Sequence, residues 1–96
     1  MHLEIITPET KIYSGEATAV QLPGLDGSFQ VLNGHAPVIS ALKAGMIKVD
    51  LATTFEREEK TSELILEDKS NGKVIQVEIK GGVIEMLNNK IIVLAE

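Results

Sequence analysis

The sequence predicts an all-β protein, a two-sheet antiparallel β-sandwich of about ten short strands. Two observations carry that reading. Apolar residues recur with a period of two, as in "VIQVEIK", where Ile75, Val77 and Ile79 fall on one face and Gln76, Glu78 and Lys80 on the other. Turn-forming residues interrupt such runs at short intervals, a spacing that suits a sandwich or barrel.

The elements follow in chain order. "HLEIIT" reads as a first strand ended by Pro8, and Gly15 marks a turn before "ATAVQL". "PGLDG" turns the chain into the short strand "SFQVL". Asn33–Gly34 is a hairpin signal, because both central residues of a type I′ turn need positive φ. After the turn at "KAG", "IKVDL" opposes Ile47, Val49 and Leu51 to Lys48 and Asp50. "ELILE", a second Asn-Gly at Asn71, and "VIQVEIK" come next. Gly81–Gly82 suits a bulge before "GVIEML", and Asn88–Asn89 turns the chain into "KIIVLA".

"ATTFEREEKTSE", Ala52 to Glu63, breaks the rhythm with five consecutive charged residues, Glu56 to Lys60. No two-residue period exists there to bury a face, so the segment reads as an exposed, mobile loop. A helical turn pairing Glu56 with Lys60 is the alternative. Elsewhere no helix longer than a turn or two is expected.

Composition narrows the function classes. Ninety-six residues make one domain, 1–96, and 44% apolar with 24% charged residues is ordinary for a soluble globular chain. The net charge of -5 opposes binding to nucleic acid or anionic lipid, and Tyr13, Phe29 and Phe55 are too few to stack bases. Without cysteine there is no disulfide scaffold, zinc–thiolate site or thiol nucleophile. Apolar runs fall short of the roughly 20 residues that span a bilayer. Glu4 interrupts the opening run, so no signal peptide is recognisable and the chain reads as cytosolic.

No motif points to catalysis. His35 has only His2 as a fellow histidine, and no G-x-S-x-G elbow presents a serine. "GLDGSF" lacks the lysine of a phosphate loop, and "EDKSNGK" lacks the third acid and distal glutamate of a calcium loop. The residues therefore predict no catalytic, metal or cofactor site, and a protein that works by binding. Leu25 stands out as a large apolar side chain in a turn, a place where an interface anchor would sit. On composition alone, a free-standing module binding a peptide or small ligand at a sheet edge is the rival. It lacks the convergent polar or aromatic residues of a pocket.

The run "GSFQVLNGHAPVISALKAGMIKV" resembles the signature of the epsilon subunit family of the F-type rotary ATP synthase, called delta in mitochondria. Gly27, Phe29, Val31, Gly34, His35, Ala36, Pro37, Leu42, Gly45 and Ile47 fall on the family pattern. "LEIITPETKIYSGEATAVQLPG" and "IKGGVIEMLNNKIIVLAE" are similar to the beginning and end of the family's sandwich domain. The resemblance implies a non-catalytic central-stalk subunit without a cofactor. Its partners would be the gamma stalk subunit and the membrane rotor ring of c subunits, at the cytoplasmic face of the inner membrane and without insertion into it. The partner surface it implies is Leu25, Asp26, Ser28, Gly34, His35, Ala36 and Pro37. Two departures stand beside the likeness. The stretch from Val49 to Ile75 is longer than the usual family hairpin, and many relatives continue past "VLAE" into a helical hairpin, so neither inhibition nor ATP binding is carried over.

Overall fold

The computed structural model describes residues 1–96 and contains seven strands and no helix. They are β1 (His2–Ile6), β2 (Lys11–Gly24), β3 (Gly27–Leu32), β4 (Val38–Leu51), β5 (Ile65–Glu67), β6 (Val74–Leu87) and β7 (Lys90–Ala95). Three of them, β2, β4 and β6, run for 14 residues each, roughly twice a usual strand. β6 joins two of the short strands that the sequence predicts, "VIQVEIK" and "GVIEML", while β2 extends "ATAVQL" and β4 extends "IKVDL" toward the N-terminus. Gly15 and Ala44–Gly45, which read as turns, and Gly81–Gly82, which reads as a bulge, lie inside these continuous strands.

The cause is a reversal of facing direction within each long strand. In β6, Ile75, Val77 and Ile79 point into the core, but beyond Gly81–Gly82 the inward residues are Ile84 and Met86. In β4, Leu42 faces inward before the reversal and Ile47, Val49 and Leu51 after it. The two reversals lie side by side, since Leu42 pairs with Gly82 and Lys43 with Gly81. β2 shifts register against β4 between Ala17 and Ala19, so Thr18 is an extra residue there. Such irregularities bend a strand and re-aim its side chains. Each long strand thus turns a corner and lines two walls of the core.

Pairing runs β1–β7–β6–β4–β2 and returns to β1, closing the ladder into a flattened barrel. β3 and β5 attach to β2 and β6 outside that circuit. One pairing departs from the antiparallel expectation: β1 and β7 are parallel. They come from opposite ends of the chain, so no hairpin dictates their relative direction. Inside, 21 residues form one apolar cluster, and no polar or charged side chain is buried.

Turn chemistry differs from expectation at Asn33–Gly34 as well. Asn88 and Asn89 take φ of 51° and 60° and close the two-residue hairpin between Leu87 and Lys90, as a type I′ turn requires. Asn33–Gly34 makes no hairpin, because β3 and β4 are not neighbours. At the β5–β6 tip, Asn71 Oδ1 accepts the Lys73 N–H at 2.9 Å. The Ser70 N–H and hydroxyl both donate to Asp68 at 2.8 Å, which holds its carboxyl below the usual range.

Glu56 to Lys60 are all exposed, as the charge run predicts. They form no helix; a single turn closes with the Thr61 N–H on the Glu58 carbonyl at 3.1 Å. Arg57, however, is tethered. Its guanidinium donates to Glu67 at 2.6 Å, to the Ser62 carbonyl at 3.2 Å and to the Ile65 carbonyl at 2.6 Å. It also lies 5.9 Å from the centre of the Phe55 ring, which packs against the core.

Two outcomes follow from these contacts. Gly82→Ala places a Cβ against the Leu94 carbonyl oxygen at a φ of +152°. The strain and the collision lower stability by about 2 kcal/mol or more, read as a shifted denaturant midpoint. Arg57→Ala speeds amide exchange in β5 while changing global stability by less than about 1 kcal/mol, because its ion pair is solvent-exposed.

Candidate functional site

The two segments that sequence reasoning assigns to a partner surface flank β3. Leu25 and Asp26 form the turn between β2 and β3, where Gly24 pairs with Gly27. Ser28 is the second residue of β3. Gly34, His35, Ala36 and Pro37 follow the far end of the strand. All seven residues are exposed, Leu25 at 61%. They do not gather at one end, because the six residues of β3 hold them about 20 Å apart.

The first residues of β4 connect the two segments. Ile39, Ser40 and Ala41 line a shallow groove of about 560 Å³ with the chain from Gly24 to Phe29. On its other side Ile39 lines a groove of about 340 Å³ with Pro37, Val38, Glu85, Met86 and Leu87. Ile39 is 75% exposed and was not singled out by the sequence, where "VIS" gives no sign of which isoleucine or valine faces out.

A hydrogen-bond network fixes the second segment. The Gly34 N–H donates to Asn89 Oδ1 at 2.8 Å, and Asn89 Nδ2 donates to Asn33 Oδ1 at 3.0 Å. The Met1 nitrogen donates to the same Asn33 oxygen at 2.8 Å. The His35 N–H closes a turn on the Leu32 carbonyl at 2.9 Å, and its Nδ1–H donates to the Ala36 carbonyl at 2.7 Å. No hydrogen bond within the chain engages its Nε2. Gly34 holds a φ of +81° that the turn demands. Asn89 is a residue that sequence reasoning sees only as a turn former; its reach across 55 positions is a product of the fold.

The other histidine stands apart. His2 lies between Glu4 at 3.2 Å and Glu16 at 3.1 Å on the surface of β1 and β2. Its hydrogen bond holds the Glu4 carboxyl below the usual range, against a smaller desolvation and with help from Lys11 and Lys90. No group of three or more metal-ligating side chains converges anywhere.

The outer faces of the barrel differ in chemistry. One cross-strand row reads Ile6, Leu94, Val83, Ala41 over β1, β7, β6 and β4. Leu94 is 56% exposed and Val83 42%. The row on the other side reads Leu66, Gln76, Lys48, Gln21, Gln30 over β5, β6, β4, β2 and β3. Exposed apolar rows of this kind occur at contact surfaces.

Comparison with known proteins agrees with that geometry. The family model described as "ATP synthase, Delta/Epsilon chain, beta-sandwich domain" matches residues 1–96. An ATP synthase epsilon chain of Chlorobium limicola is 39% identical over 98% of this chain and 86% of its own length. Those of Campylobacter lari and Sulfurimonas denitrificans are 46% and 40% identical over 80% and 100% of this chain. This chain spans only 55% and 60% of those two relatives. The fold is shared with a chain in the central stalk and c-ring structure of Tetrahymena thermophila mitochondrial ATP synthase. That match has a TM-score of 0.69 at 14% identity, over 99% of this chain and 62% of that one. A chain of the Euglena gracilis mitochondrial enzyme gives 0.67 at 18%, over 97% and 48%.

The network around Gly34 has a measurable consequence. Asn89→Gly keeps the positive φ but removes both side-chain hydrogen bonds. It accelerates amide exchange at Gly34 and lowers stability by about 1 kcal/mol.

Proposed function

This chain belongs to the delta/epsilon family of ATP synthase chains, as its β-sandwich domain, and on that premise we propose that it is a non-catalytic central-stalk subunit coupling the gamma stalk to the proton-driven rotor ring. Epsilon chains are accessory rather than catalytic subunits of the synthase, and work of this kind asks for rigid surfaces, not a reaction centre. The closed ladder and wholly apolar core supply the rigidity.

The observation that carries the proposal is the pair of large apolar side chains, Leu25 and Ile39, standing in solvent along one groove that Asp26 and Ser28 also line. An isolated domain gains nothing from exposing them, whereas an interface gains most of its energy from such anchors within a polar rim. In this reading the Leu25, Asp26 and Ser28 turn and the Gly34, His35, Ala36 and Pro37 loop meet the gamma subunit and the ring of c subunits. No cofactor takes part. No helix of the structure is long and apolar enough to cross a membrane. The domain would sit peripherally at the cytoplasmic face of the inner membrane, held by its partners.

The test is a pull-down with the stalk subunit, run beside thermal melts. Leu25→Asp weakens assembly by about 2 kcal/mol or more with an unchanged melt. His35→Ala weakens it by about 1 kcal/mol, the worth of one interfacial hydrogen bond. If both variants melt far below the parent yet assemble normally once folded, these residues serve the core and the interface lies elsewhere.

A further inference from the structure

Outside the closed circuit, β3 and β5 are each paired along one edge only, β3 to β2 and β5 to β6. An unpaired edge offers main-chain donors and acceptors to any extended chain, and folded proteins block such edges by short length, charge, proline or a covering group. β5 is blocked on each count but proline. It has three residues, one of them the charged Glu67, and the Arg57 guanidinium covers the Ile65 carbonyl at 2.6 Å. β3 is blocked on none. "GSFQVL" runs for six residues with no charge and no proline.

The direction of its free groups can be read from the pairing. The Asn33 N–H donates to the Thr18 carbonyl at 3.1 Å, and Val31, Phe29 and Gly27 stand opposite Val20, Leu22 and Gly24. Main-chain groups alternate sides along a strand, so these odd-numbered residues bond to β2. Ser28, Gln30 and Leu32 then direct their N–H groups outward. The carbonyls of Ser28 and Gln30 point the same way, while that of Leu32 is taken by the His35 N–H. No side chain of the protein reaches any of the outward groups. They repeat every two residues, about 6.8 Å.

We infer that the outer edge of β3 takes up an extended strand of the gamma-type stalk partner by main-chain pairing through Ser28, Gln30 and Leu32. This rests on the stalk-subunit reading and states how that partner is held. The chemistry of the edge selects the occupant: alternating N–H and C=O groups at that repeat are matched by another peptide backbone and by nothing smaller. Position agrees, since the edge runs from the Leu25 turn to the Gly34 loop and joins the two halves of the proposed interface into one strip. The outward side chains Ser28, Gln30 and Leu32 carry no charge, so they set no electrostatic barrier to a close strand.

Residue-resolved amide exchange decides the matter, on the chain alone and in complex with the gamma-type stalk subunit. In the free chain Gln30 and Leu32 exchange fast while Phe29 and Val31 are protected. Complex formation slows Gln30 and Leu32 by about tenfold or more and leaves Phe29 and Val31 as they were. A complex that forms without slowing Gln30 and Leu32 overturns the inference and spares the stalk reading. Failure of the parent chain to bind the stalk subunit overturns both. Slowing of Gln30 in the free chain as its concentration rises, with no further change on adding the partner, makes a second copy the occupant and overturns the proposal. Gln30→Pro adds a second readout: it removes the outward N–H and none of the bonds to β2. It is expected to melt like the parent and bind about tenfold more weakly, with Gln30→Ala binding like the parent. Equal binding by a folded Gln30→Pro overturns the inference, and the exchange experiment stands if that variant does not fold.

Discussion

Everything in this fold depends on three strands that change which side they turn to the core. A strand that kept strict alternation over 14 residues would line only one wall, and the opposite wall would need strands of its own. By reversing at Thr18 in β2, beside Lys43–Ala44 in β4 and at Gly81–Gly82 in β6, the chain makes each long strand serve both walls. The reversals in β4 and β6 lie against one another, so the corner is turned by paired strands in unbroken register. Backbone hydrogen bonding is thereby preserved through the bend, as a buried ladder requires. Close packing enforces the corner: a Cβ at Gly45 would stand 2.8 Å from Pro23, and one at Gly82 would stand 3.1 Å from Ala95 Cα.

That constraint also decides what the surface looks like. Reversal exchanges the inward and outward sets of residues, so apolar side chains needed inside one half have outward neighbours in the other half. Leu94 and Val83 on one face, against Lys48, Gln76 and Gln21 on the other, are the result. The Asn33–Asn89 amide pair has a comparable role at the rim, where it ties the loop after β3 to the hairpin between β6 and β7.

Local physics was readable in the sequence, and long-range geometry was not. The inward sets Ile75, Val77, Ile79 and Ile47, Val49, Leu51 follow from alternation alone, and the structure buries all six. The all-β class and the exposure of Leu25 and His35 were equally legible. Strand length was not, because a glycine that ends one strand and a glycine that bends a longer one look alike in a single sequence. Asn-Gly at Asn33 carries the stronger hairpin propensity, yet the type I′ turn falls at Asn88–Asn89, where the flanking strands pair. The charged stretch is exposed as read, but the anchoring of Arg57 depends on Ser62, Ile65 and Glu67 being brought beside it. Ile39 escaped notice for a similar reason: its exposure is set by the reversal in β4, several residues further on.

The parallel register of β1 with β7 has a kinetic side. His2 stands opposite Lys90 and Leu3 opposite Ile91, residues from opposite ends of the polypeptide. Such a contact closes the longest loop within the domain, so it forms late, after the hairpins between them have shortened the effective loop. Until then both strands expose their inner residues, Leu3, Ile5, Ile91 and Val93, all fully buried in the native state. The last step of folding is therefore the one that zips the barrel shut. A nascent chain emerging from the ribosome must hold β1 unpaired on one side until β7 has been made.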